Sequence, residues 1–454
     1  MILFEGKLLQ DKEQDTVLDK LWDSCLQAIT HREDIAEKVM DACGKVAEKI
    51  RNGVYDEILQ PLFNKGTFSR KQLEEVIGFF DRKNLQLKYD TELGNWKKMV
   101  EGDRITDTAT AQTGINGDDD FGQPAGIGKQ HHRTKQIQPL GILFHIAAGN
   151  AEGLPFYSVL EGMLAGNVNI LKLPSMDDGI SVLLLHEIIK EEPSLAPYVC
   201  VLDVPSTNMK VMKGLADMAD GIVVWGGDDA IRTIRTYAAP ETRIISWGHK
   251  LSFAYVSPAV LTEQDLQQEL YALAHHICES RQVLCSSCQG LFVDSSDMQV
   301  VNAVGERFFA VLREVSQNYP PESIGVRGKI FISLYNEELE NENSVKQIYK
   351  ENNVSVIVSS DSELKLSYMF RNCWVKPLLA KNVVSVLKIH RDHLQTAGLI
   401  CEKEEYAALA DKLMKAGVTR ITRAGHMSQN IQGEAHDGEY PLQRYVKIVE
   451  TEVW

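Results

Sequence analysis

"PLGILFHIAAGNAEGLPFYSVLEGMLAGNVNILKLPS", residues 139–175, decides the architecture. It opens on an apolar run at 141–147, of a length and composition that suit a strand buried on both faces of a parallel sheet. "LPFYSVLEGMLAG" reads as a helix, and "NVNILKLP" returns to an apolar strand. Strand, helix and strand in so short a span make a βαβ unit with a right-handed crossover. The alternation continues through "SVLLLHEIIKEE", "YVCVLDVP", "NMKVMKGLADM", "GIVVWGG", "DDAIRTIRTYA" and "RIISWG". The spacing thus predicts an open parallel sheet of five strands with helices between them. Ligands of such sheets bind beyond the carboxyl ends of the strands. Those ends are Ala147–Asn150, Lys172–Ser175, Val204–Pro205, Trp225–Gly227 and Ser246–His249.

Outward from this block, a second α/β unit begins near 251. "LSFAYVS" is a strand, and "EQDLQQELYALAHHICES" is a helix with Leu266, Leu270, Leu273 and Ile277 on one face. "GLFVDS" is the next strand. Upstream, the first hundred residues read as helices: Ile35, Val39, Ala42, Val46 and Ile50 recur at helical spacing until Asn52-Gly53. Ser69 and Gln72 form a capping-box pattern. Residues 103–138, rich in Gly and Asp, read as a long loop, with "KQHHRTK" (129–135) as a solvated loop or strand end. The tail "YPLQRYVKIVETEVW" offers strands to a sheet edge or an oligomer contact. The expected division is 1–138 helical segment and loop, 139–250 Rossmann-type dinucleotide-binding domain, 251–430 α/β catalytic domain and 431–454 tail.

The net charge of −15 over 454 residues argues against non-specific nucleic-acid binding, which needs a basic surface. The first residues have no secretory-signal pattern, and no run approaches the ~20 apolar residues of a membrane span. A cytoplasmic protein is expected. Its eight cysteines, at 25, 43, 200, 278, 285, 288, 373 and 401, are too sparse for a disulfide scaffold and are expected to be thiols.

"RQVLCSSCQG" (281–290) places Cys285 and Cys288 three residues apart. His275, Cys278, Cys285 and Cys288 make one conceivable Cys₃His zinc set, although no second CxxC exists. A redox CxxC normally opens a helix after a strand, where the dipole favours the thiolate. This pair follows a helix and precedes a strand. A single nucleophilic cysteine with bystander neighbours is the remaining reading.

The order of pieces (strand, "AGN", helix, "AGNVNILKLPS", "VVWGGDD", "WGHK", then a cysteine turn before "LFV") resembles the aldehyde dehydrogenase superfamily. Within it, "RQVLCSSCQ", "RITRAGHM" and "HDGEYPLQRYV" are similar to LuxC-type acyl-CoA reductases. The resemblance covers about 139–450 and implies an aldehyde dehydrogenase-like α/β fold. It assigns the nucleophile to Cys285, whose distance to Phe292 and Val293 matches the family, and makes Cys288 a bystander. It gives Asn150 an oxyanion-hole role with the backbone N–H of Cys285; a helix N-cap is the alternative for Asn150. It places Lys172 at the adenosine ribose and Gly227 at the turn beside the cofactor phosphates, although "WGGDD" sets two acids there. Ser175 stands where strictly NAD-dependent relatives carry a Glu, which favours NADPH over NADH. Ser246 stands where hydrolytic relatives carry the Glu that activates water, so deacylation by water is expected to be slow. The implied reaction is reduction of an acyl thioester, from acyl-CoA or an acyl-protein, to an aldehyde. The implied partners are an acyl-protein synthetase and further copies of the chain. A CoA-acylating aldehyde dehydrogenase running oxidatively, or a zinc-binding structural subunit, are the rival readings. His249 reads as a packed or capping residue, and His436-Asp437-Gly438 equally as a tight turn or a substrate-side element.

Overall fold

The computed structural model describes residues 1–57, 59–60, 70–102, 105–106, 132–147, 153–174, 179–260, 264–340, 346–429 and 433–453. They form two compact units, residues 1–247 with 432–454, and residues 248–431.

The first unit is built on a seven-stranded sheet. The quoted block supplies β5 (Ile142–Ile146) and β6 (Val168–Lys172), joined by the helix Leu154–Leu164. β7 (Val199–Leu202), β8 (Gly221–Trp225) and β9 (Arg243–Trp247) complete the parallel set. The order β7-β6-β5-β8-β9 reverses direction between β5 and β8, the switch point of a doubly wound sheet. β6 is buried along its whole length, including Asn169 and Lys172. The helices Ala36–Arg51, Leu154–Leu164 and Ile180–Glu191 pack together, so the N-terminal helices belong to this unit's core.

Four strands differ from the sequence expectation. The chain opens not with a helix but with a hairpin, β1 (Ile2–Phe4) and β2 (Lys7–Leu9). β1 adds antiparallel to β7, and its three apolar side chains are buried. Glu5 and Gly6 both take positive φ (48° and 74°), the backbone that a two-residue type I′ turn demands. Residues expected as the end of a loop instead form β4 (His132–Pro139). β4 pairs antiparallel with the C-terminal β17 (Val446–Val453) over eight residue pairs and with β3 (Ile105–Thr106), making a three-stranded sheet.

The second unit repeats the wiring. β10 (Leu251–Val256), β11 (Cys288–Val293), β14 (Asn372–Pro377), β15 (Leu394–Ile400) and β16 (Arg420–Arg423) form a parallel set ordered β14-β11-β10-β15-β16. The antiparallel pair β12 (Gln347–Glu351) and β13 (Val354–Val358) closes one edge. Alternate residues of β10 serve two cores. Ala254 and Val256 pack with the helices Gln264–Ser280 and Met298–Ser316, and Phe253 and Tyr255 with Phe292, Trp374 and Leu413. Among the described residues no helix is long and apolar enough to cross a membrane.

Candidate active site

Cys285 lies in the connection from the helix Gln264–Ser280 to β11. Ser287 N–H donates to the Leu284 carbonyl at 2.9 Å, which makes Cys285 and Ser286 the central residues of a tight turn. The Ser287 hydroxyl accepts from Leu284 N–H at 3.1 Å and braces it. The Ser252 hydroxyl, on β10, donates to the Cys285 carbonyl at 2.7 Å and accepts from Thr396 N–H on β15 at 3.0 Å. A fully buried serine thus pins the Cys285 backbone to two strands.

Behind the turn lies a strained, hydrogen-bonded layer. Eight non-glycine residues among those described have positive φ, and five meet here: Arg281, Gln282, Met369, Phe370 and Arg371. A left-handed non-glycine residue costs about 1–2 kcal/mol, so the surroundings must hold it. Arg281 forms a two-pronged ion pair with Glu322 at 2.9 and 2.6 Å. The buried Gln282 amide donates to the Cys288 carbonyl at 2.9 Å and accepts from Arg371 N–H at 2.7 Å. Gln289 accepts from the Ser367 hydroxyl at 2.8 Å.

All eight cysteines are unbridged thiols, but their settings differ sharply. Cys285 is exposed, whereas Cys278, Cys288 and Cys373 are buried. Burial pushes the Cys278 thiol up to about 11 and the Cys288 thiol up to about 12. A buried thiol so held is protonated at neutral pH and is a poor nucleophile. Among the described residues no group of three or more His, Cys, Asp and Glu side chains is set to hold a metal ion. His275 faces Tyr319, whose hydroxyl lies 2.9 Å from its Nδ1. The neighbouring His276, which the sequence reading passed over, meets the turn: its Nε2 accepts from Cys288 N–H at 3.2 Å. Burial, then the nearby Arg420, lowers its pKa to about 4, so it is neutral at pH 7. Its signal lay in the helical face that Leu273 and Ile277 already mark.

In the first unit the carboxyl ends of the strands carry the other predicted positions. Lys172 ends β6 and is buried, and that burial lowers its pKa against the opposing pull of Asp203. Gly227 caps the helix Asp228–Arg235 in extended conformation, and a Cβ there would meet no atom within 4 Å. That leaves room for a phosphate to approach the backbone, while Asp228 and Asp229 in the first turn oppose one. Asn150 and Ser175 lie outside the described residues. Ser246 is half-buried on β9, paired with Val224. His249 belongs to the second unit, where its carbonyl accepts from His393 Nδ1 at 3.0 Å.

The "HDGEYPLQRYV" motif packs at the ends of β8 and β9. The His436 ring lies 5.4 Å from Trp225 and 4.9 Å from Trp247, and Arg444 stacks over Trp247 at 5.0 Å. A buried charge cluster holds the motif there. Lys88 bridges Glu92 and Glu161, Glu92 accepts from Leu442 N–H at 3.1 Å, and Glu161 accepts from the Tyr445 hydroxyl at 3.3 Å. His145, fully buried on β5, contacts Ser158 at 2.7 Å and Asn169 at 3.0 Å, and burial lowers its pKa to about 4. Apart from Lys88–Glu92, an i,i+4 pair, these partners were not evident from the sequence, because they join separate elements.

Residues 122–448 match the family described as Acyl-CoA reductase (LuxC). A long-chain acyl-protein thioester reductase of Aliivibrio fischeri is 24% identical over 325 residues, 70% of this chain and 65% of its own length. The enzyme of the same description from Photorhabdus laumondii is 27% identical over 327 residues, 69% of this chain and 64% of its own. The chain therefore spans a little under two thirds of the relatives it matches. Among solved structures, an NAD-dependent aldehyde dehydrogenase from Sinorhizobium meliloti superposes with a TM-score of 0.71 at 13% identity, over 100% of this chain and 94% of that one. An aldehyde dehydrogenase from Physcomitrella patens gives 0.68 at 13% identity, over 98% and 91%. The fold is that of the aldehyde dehydrogenases, and the chain belongs to the Acyl-CoA reductase (LuxC) family.

Proposed function

We propose that this protein reduces an acyl thioester, acyl-CoA or a protein-bound acyl group, to an aldehyde by way of a Cys285 thioester. The observation that carries the reading is the contrast within one turn of a LuxC-family chain: Cys285 is exposed at its apex, and Cys288 is buried and protonated behind it. The Cys285 thiolate attacks the acyl carbonyl and expels the donor thiol, which leaves the acyl group on sulfur. Asn150 and the backbone N–H of Cys285 donate to the oxyanion. A reduced nicotinamide cofactor, when bound, supplies the hydride that a thioester accepts. Cys285 then carries a thiohemiacetal, releases the aldehyde and regains its proton. With Ser246 in place of a carboxylate, no base at that position activates water, so the acyl group waits for hydride.

The residues at the carboxyl ends of the first unit's strands fit a dinucleotide. Gly227 has open space over its Cα, and Lys172 brings a cation to the end of β6. Lys172 and Ser175 together accommodate a 2′-phosphate, so NADPH is the cofactor of choice. The relatives' description as long-chain acyl-protein thioester reductases supports a long acyl chain and a protein-bound acyl donor. A panel of acyl-CoAs from short to long, assayed with NADPH and with NADH for cofactor oxidation and trapped aldehyde, tests the proposal. Aldehyde formed faster with NADPH and with longer chains supports it. Carboxylic acid as the product, or no turnover with any chain, refutes it.

A further inference from the structure

Beside the layer that backs the Cys285 turn, the second unit holds a cavity of about 200 Å³, bordered by the helix Ile324–Glu340 and by the connection from β13 to β14. The proposed reaction makes no use of it. Its lining is unbalanced in charge: Lys346, Lys365 and Lys376 supply three ammonium groups, against the one carboxylate of Glu337. We infer that the cavity binds a small monoanion with an apolar body, a carboxylate of about eight heavy atoms, and that its occupancy is felt at the Cys285 turn.

The cations set the sign of the ligand. Lys376 is fully buried, and two of its three donors go to the Asp361 carboxylate and to the Glu363 carbonyl, the latter at 2.8 Å. The third has no partner among the described residues. Burial lowers the Lys376 pKa; Asp361, and more weakly Glu363, pull it up, and the nearby Lys365 pushes it down again. Two ammonium groups therefore stand close and repel. Lys365 is exposed, and among the described residues it pairs with no carboxylate. Lys346, by contrast, is engaged by Glu337, which also accepts from the Tyr368 hydroxyl at 2.7 Å. A carboxylate shared by Lys365 and Lys376 gains charge-assisted bonds to both. With Glu337 and Asp361 already matching two of the three cations, a monoanion fits the remaining charge and a dianion does not.

The other walls set the ligand's body. Trp374, Leu366 and Ile357 give apolar surface, and the centre of the Trp374 ring lies 5.6 Å from Lys376 Nζ. A dry cavity of ~150 Å³ holds benzene, so this one takes a short hydrocarbon chain behind the carboxylate.

Ser367 and Cys373 also line the cavity and tie it to the turn. The Ser367 hydroxyl donates to Gln289 at 2.8 Å and accepts from the Gln282 amide at 3.2 Å, and that amide lies 3.4 Å from Cys373 Sγ. Gln282 in turn holds the Cys288 carbonyl and the Arg371 N–H. An occupant that bridges Lys365 on the connection to Lys376 on β14 therefore acts on the same hydrogen-bonded layer that braces Cys285.

Hexanoate tests the inference on the full chain, with hexylamine as the charge-reversed control and inorganic phosphate as an anion without an apolar body. Calorimetry reads binding. The rate at which iodoacetamide alkylates Cys285, followed by peptide mapping, reads the turn without turnover, so the outcome is separate from that of the proposed reaction. Hexanoate is expected to bind saturably, at least about tenfold more tightly than either control, and to change the alkylation rate at least about threefold. Lys365→Glu, an exposed change whose fold circular dichroism confirms, is expected to abolish both effects, and Lys365→Arg to keep them. Hexanoate that fails to saturate, binds no better than hexylamine or phosphate, or binds Lys365→Glu as tightly as the native chain overturns the site. Saturable binding that leaves the Cys285 alkylation rate unchanged overturns its link to the turn.

Discussion

The two seven-stranded sheets share their wiring and differ in the end they present. In each, the first strand of the parallel set, β5 or β10, sits in the middle, and the chain winds out to one side before reversing to the other. In the first unit the candidate residues Lys172 and Gly227 stand at carboxyl ends, where helices begin and their dipoles favour phosphate. In the second, Cys285 precedes the amino end of β11, just after the helix Gln264–Ser280 has ended. A helix C-terminus brings the negative end of a dipole. One topology therefore sets candidate ligand residues at one end and, at the other, a turn that must be fixed by other means. Those means are the Ser252 bridge, the Gln282 amide and five left-handed residues held by tertiary hydrogen bonds.

The largest effect that would break this comparison is expected at the turn itself. Cys285→Ala is expected to lower aldehyde formation by about 10³-fold or more, as loss of a covalent nucleophile does. Cys288→Ala is expected to keep the rate within about threefold and to cost about 1–2 kcal/mol in urea unfolding, because it deletes a buried side chain. Equal losses of activity from both would dissolve the distinction between the two thiols.

Next come the buried histidines, one in each unit. The folded pKa values of His145 and His276 are lowered to about 4 by burial, from about 6.5 when unfolded. Each therefore contributes stability that is intact above pH 6.5 and is lost as pH falls towards 4, worth about 3 kcal/mol apiece at most. Urea midpoints measured between pH 7.5 and 4.5 are expected to fall, and less steeply in His276→Gln. A midpoint that rises on acidification would contradict the neutral, buried assignment.

Ser252→Ala is expected to lower kcat by about ten- to a hundredfold while leaving the KM for cofactor unchanged, because it frees the Cys285 backbone without removing the thiol. Unchanged kcat would show that the turn holds itself. The smallest effect belongs to the first unit. Lys172→Ala is expected to raise the KM for NADPH about tenfold and to leave acylation of Cys285 intact, a separation that stopped-flow acylation without cofactor reads directly.

How much of this was legible depended on sequence distance. Buried parallel strands appear as mostly apolar runs separated by helical stretches, so β5 to β11 could be read from that alternation. β4 could not, since "HRTKQIQP" is polar and becomes a strand only by pairing with β17 more than three hundred residues away. β1 and β2 are three residues each, below the length at which alternation is visible, and only the Glu5-Gly6 turn hints at them. At the candidate site, Cys285 was marked through the family resemblance, by its spacing to Phe292 and Val293. Its supports were not, because Ser252 on β10, His276 on the preceding helix, and Ser367 and Arg371 in the connection from β13 to β14 converge only in the fold. The C-terminal motif was recognisable as a unit, yet its anchor on Lys88, Glu92 and Glu161 joins three helical segments and the tail.

The central claim is that Cys285 carries the acyl group until hydride removes it. Intact-mass measurement after incubation with acyl-CoA, followed by peptide mapping, tests it most directly. The account predicts one acyl adduct per chain, on Cys285, stable in buffer, discharged as aldehyde on adding NADPH and absent from Cys285→Ala. An adduct on Cys288, or one that water clears as fast as NADPH does, would contradict it.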